Sequence, residues 1–134
     1  MSRQLELIGA AMILLALVHM VFPKYFGWKE ELASLSLINR QLMKVHTAFI
    51  ALAIFLMGLL CLTSPTELMN TGLGRKIALG LGIFWGCRLL VQIFVYSPKL
   101  WRGKRFETGV HVMFTILWFY FTAVFVMIAS SKGV

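Results

Sequence analysis

The stretch LINRQLMKVHTAF at residues 37–49 passes from a polar connection carrying Asn39, Arg40, Gln41 and Lys44 into a long apolar run, with His46 just inside it. No charged side chain follows until after Thr63. A helix needs about 20 residues, rising 1.5 Å each, to cross roughly 30 Å of hydrocarbon. Residues 43–63 therefore read as a membrane-spanning helix, and His46 as an ionisable group about a turn inside it.

The same reading extends outward in both directions. Apolar runs at residues 5–22, 77–96 and 109–129 match the first in length. The chain has 134 residues, 60% hydrophobic and 13% charged, with a mean hydropathy of +0.85. A soluble domain usually carries about a quarter charged residues, so this composition excludes an ordinary water-soluble fold. The expected fold class is all-α: an integral membrane four-helix up-down bundle forming a single transmembrane domain over residues 1–134. The first run is read as a retained helix rather than a cleaved leader, because no A-x-A-like site follows it.

Charge sets the expected orientation. Lys24, Lys29, Arg40 and Lys44 fall in or beside the first connection, and Lys99, Arg102, Lys104 and Arg105 in the third; the opposite side has Arg3, Arg75, Lys76 and Lys132. The positive-inside rule then puts loops one and three in the cytoplasm and both termini outside, in a bacterial inner membrane. The net charge of +8 comes without a nucleic-acid-binding motif, so the expected partner of the basic loops is anionic lipid, with no nucleic acid.

Several local signals refine this picture. Pro23 ends the first helix at Phe22 and places His19 about one turn from its end. In the first loop, Tyr25, Phe26 and Trp28 suit the headgroup level. Leu32, Leu35 and Ile38 there predict one face of a short interfacial helix. Cys61 and Cys87 read as reduced, small apolar side chains. Gly82 and Gly86 form a G-x-x-x-G spacing suited to close helix approach, either within one bundle or in a homodimer or larger membrane complex. On the same helix Arg88 and Gln92 stand at i and i+4, with Arg88 roughly 12 Å from the helix end by the helical rise. A cation at that depth is expensive without a partner, so Arg88 and Gln92 are candidate cofactor-binding residues.

Alternate helices reverse direction in an up-down topology, so His19, His46 and His111 are expected at one depth, with Gln92 beside them. Neutral imidazole ligates haem iron and transition metals, and helix bundles build such sites from facing side chains. The expectation is a cytoplasmic-side histidine cluster, His19, His46 and His111, binding a b-type haem or a transition metal ion for redox or electron transfer. A quinone-binding or metal-ion membrane enzyme without haem is the first alternative, and a structural or assembly subunit the second; whether the protein is an enzyme stays open.

The segments FPKYFGWKEEL, SLINRQLMKVHT and RLLVQIFVYSPKLWRGKRFET resemble small bacterial four-helix inner-membrane proteins of unassigned function. That resemblance implies the membrane fold and no activity. The layout is also similar to membrane cytochrome b subunits, but their paired histidines on the same helices are absent here.

Overall fold

The computed structural model describes residues 1–96 and 98–131. Lys132, read above as an opposite-side charge, lies outside them. Among the described residues the structure is helical and contains no strand. Four helices are long and apolar enough to span a membrane: Ser2–His19, Leu37–Thr63, Gly72–Val95 and Arg105–Ser130. The chain divides into two compact units, Met1–Pro65 and Thr66–Val134.

In the first unit, α1 (Ser2–His19) packs against α4 (Leu37–Thr63). Leu5, Ile8, Gly9, Met12, Leu15 and Ala16 recur at helical spacing and are buried. They face Ala51, Ile54, Gly58 and Cys61. Leu7, Leu14, Phe49 and Leu56 on the outer faces are exposed, as an apolar solvent allows. Gly9 and Gly58 mark the closest approach: a Cβ built on either would lie 2.7 Å from the other's carbonyl oxygen. Two glycines are therefore what lets these backbones meet, and because Gly9 lies against Leu62 while Ile13, a turn later in α1, lies against Gly58, a turn earlier in α4, the pairing is antiparallel.

The helix bounds differ from the hydropathy reading where caps and breakers act. Ser36 accepts from the Asn39 backbone N–H, so α4 begins six residues before the predicted 43, inside the polar connection. At the other end of α1 the helix stops at His19, before Phe22. Met20 and Val21 bond three residues back to Leu17 and Val18, a tightening turn ahead of α2 (Phe22–Tyr25), which holds Pro23 near its start. Gly27, at φ 62°, separates α2 from α3 (Trp28–Glu31). The expected interfacial helix with Leu32, Leu35 and Ile38 on one face does not form as a unit, since Ile38 belongs to α4. Trp28, expected among headgroups, is only 8% exposed.

The second unit is a hairpin of α6 (Gly72–Leu90) and α7 (Arg105–Ser130), preceded by the short α5 (Pro65–Asn70) that enters it from the unit boundary. Thr71 caps α6, accepting from Gly74 N–H at 2.8 Å, and its hydroxyl donates back to the Glu67 carbonyl of α5 at 2.7 Å. Trp85, Phe121 and Phe125 form its core. Gly82 lies against Val126 and Phe125, and Gly86 against Thr122, so the small-residue face is used within this hairpin. Past Leu90 the helix widens into a π-helical turn, Val91–Val95, where Tyr96 N–H reaches back five residues to the Val91 carbonyl. A short 3₁₀ turn, Pro98–Leu100, follows.

Candidate functional site

The π turn builds the polar centre of the second unit. In α-helical geometry a residue eight positions on sits about 80° away around the axis, because eight residues exceed two turns. Widening the turn rotates Tyr96 back over Arg88. Arg88 thereby meets two partners from its own helix: Nη1 donates to Gln92 Oε1 and Nη2 to Tyr96 Oη, each at 3.4 Å. Its guanidinium carbon also stands 5.3 Å from the ring centres of Tyr96 and Trp118, within cation–π range.

Gln92 is the hub, and it is the one buried polar residue of the described core, 6% exposed. Its Oε1 accepts from Arg88 and from Trp118 Nε1 at 3.4 Å, while Nε2 lies 2.9 Å from His111 Nδ1. Arginine and indole can only donate, so the amide oxygen must face them and the amide nitrogen must face His111. His111 Nδ1 is consequently the acceptor, and the ring carries its proton on Nε2. The imidazole stacks on Trp101 at 4.6 Å, with Trp101 held by Thr108 donating to its carbonyl at 2.6 Å. Trp118 stacks on Trp85 at 5.0 Å and Phe114 at 5.4 Å. An aromatic wall thus fixes every side chain that touches the amide.

Of the predicted site residues, Arg88, Gln92 and His111 come together. The predicted cluster of His19, His46 and His111 does not form. Among the described residues no three His, Cys, Asp or Glu side chains are placed to hold a metal ion, which overturns the haem or transition-metal cofactor and the redox function built on it. Each imidazole has gone elsewhere. His19 Nδ1 donates to the Leu15 carbonyl at 2.7 Å, and its ring packs on Phe22 at 4.6 Å. The groove beside it, about 150 Å³, is lined by Lys44 and Thr47 rather than His46. His46 is exposed on α4, and no histidine is buried. Equal depth on a helix leaves the direction around the axis undetermined, and here the nearest hydrogen-bond partners set it for His19 and His111.

Tyr96, Trp101 and Trp118 were missed as site residues. Tyr96 is invisible to helical periodicity because only the π turn aligns it. Trp101 and Trp118 carry no signal in the sequence that sets them apart from membrane-belt and packing aromatics. Fold and site define a class: an all-helical chain with four apolar helices of membrane-spanning length and a polar, aromatic-walled cluster inside its second hairpin. No protein-family profile, curated protein or solved structure matches the chain.

Proposed function

We propose that this is an integral protein of the bacterial inner membrane, with both termini outside, whose second hairpin binds the acidic head group of a membrane lipid at Arg88. The carrying observation is the company Arg88 keeps. Among the described residues it has an amide oxygen, a phenol and two aromatic faces, and no carboxylate. A guanidinium within an apolar span costs several kcal/mol unless compensated, and neutral acceptors and rings supply only part of that. An anion supplies the rest, through charge-assisted hydrogen bonds about twice as strong as neutral ones. Lys99, Arg102, Lys104 and Arg105 follow in the next loop and favour the same leaflet of acidic lipid, at about 1 kcal/mol per cation near a charged surface.

Native mass spectrometry of the detergent-solubilised protein, after exchange against phosphatidylglycerol or phosphatidylcholine, tests this. Phosphatidylglycerol should be retained selectively, and Arg88→Gln should remove the selectivity. Gln92→Glu should reduce it as well, because an internal carboxylate then takes the place of the ligand. Equal retention of both lipids by the parent protein would refute the reading.

A further inference from the structure

At the opposite end of the second hairpin from Gln92, the start of α6 and the end of α7 flank an open recess of about 430 Å³. It falls in the range of about 300–1,000 Å³ common for small-molecule sites. Arg75 and Lys76 supply two positive charges to its lining, and no acidic side chain lines it among the described residues. Arg75 Nη1 is buried without a hydrogen-bond partner. That is a costly arrangement for a guanidinium donor, which is either hydrogen-bonded or exposed to water in most proteins. Ser130 already donates to the Met127 carbonyl at 3.2 Å, so the two cations carry the polarity of the recess. Leu79, Val126 and Ala129 form its apolar remainder.

We infer that this recess is a second anion site, taking a phosphate-type oxyanion on Arg75 and Lys76, with the apolar wall receiving hydrocarbon attached to it. Arginine presents several donors in a rigid fork suited to phosphate oxygens, and lysine adds a point charge beside it. Two cations lining one recess with no carboxylate beside them among the described residues are the arrangement an oxyanion completes. The shared chemistry belongs equally to a lipid phosphodiester and to free phosphate; the apolar wall favours the first. The site stands at the other end of the hairpin from Arg88 and does not depend on that residue.

Isothermal titration of the full chain in dodecyl maltoside with dihexanoyl phosphatidylglycerol, and separately with inorganic phosphate, tests it in an Arg88→Gln background that leaves the first site out. Saturable binding is expected, weakened about ten-fold or more by Arg75→Gln and by a smaller factor by Lys76→Gln, as the loss of one charge-assisted hydrogen bond predicts. Lys76 is exposed, so its replacement leaves the fold unchanged and keeps the test valid if Arg75→Gln unfolds. Tighter binding of the lipid than of phosphate assigns a lipid head group; equal binding assigns free phosphate to the same oxyanion site. Unchanged affinity in both variants, or no saturable binding of either probe, overturns the proposal.

Discussion

Gln92 shows how one neutral side chain can set the chemistry of several ionisable or polar neighbours. Its amide has one orientation compatible with two obligate donors on one side, and that orientation makes His111 Nδ1 an acceptor. Replacing Gln92 by Leu leaves Arg88 Nη1, Trp118 Nε1 and His111 Nδ1 without their shared partner in a largely buried site. The expected loss is about 1–3 kcal/mol, read as a lower midpoint in thermal or denaturant unfolding in detergent. His111→Phe keeps the stack on Trp101 but removes the acceptor, so it should cost less than Gln92→Leu, because one group rather than three loses its bond. A larger loss from His111→Phe would count against Gln92 as the hub. The candidate pair Arg88 and Gln92 was legible at i and i+4, since helical spacing alone puts them on one face. Their partner His111 was legible only as a depth, and Tyr96 not at all.

At the scale of single helices, the glycines separate into those that carry a close approach and those that do not. Gly58→Leu places a side chain where the Gly9 carbonyl and Ile13 now sit, so α1 and α4 must move apart. Overpacking of this kind costs about 1–3 kcal/mol and more where backbone is the obstacle. Gly80 meets nothing within 4 Å, and Gly80→Ala should be neutral or stabilising by up to about 1 kcal/mol through helix propensity. Comparative unfolding of the two variants checks both signs; a destabilised Gly80→Ala would mean that its face is covered. Thr71→Ala removes the cap of α6 and should cost about 1 kcal/mol, with increased hydrogen exchange confined to the first turn of that helix. The sequence reading placed G-x-x-x-G in α6 but passed over Gly9 and Gly58, which lie on different helices and form no motif along the chain.

For the whole molecule, the basic loops predict orientation. A single cysteine at Lys104, in a Cys61→Ala, Cys87→Ala background, should react with a membrane-impermeant maleimide only after the cytoplasmic face is opened. Labelling in intact cells would reverse the topology. Both native thiols are free, Cys61 buried and Cys87 exposed, which is why the background must remove them. Equalising the charge balance, with Lys99, Arg102, Lys104 and Arg105 changed to Gln, should produce mixed orientations, since it leaves four cations on each side.

Composition and the length of the apolar runs were enough to specify an all-helical chain with four helices able to span a membrane, because transfer into hydrocarbon depends on residue type summed over about 20 positions and hardly on neighbours. Where an imidazole points depends on which hydrogen-bond partner lies within 3 Å of it, a property of packing. Leu15 offered His19 a carbonyl one turn back, and Gln92 offered His111 an amide from another helix. Only the tertiary structure could make that choice, and with it the predicted metal cluster gave way to an arginine, an amide and a wall of aromatic rings.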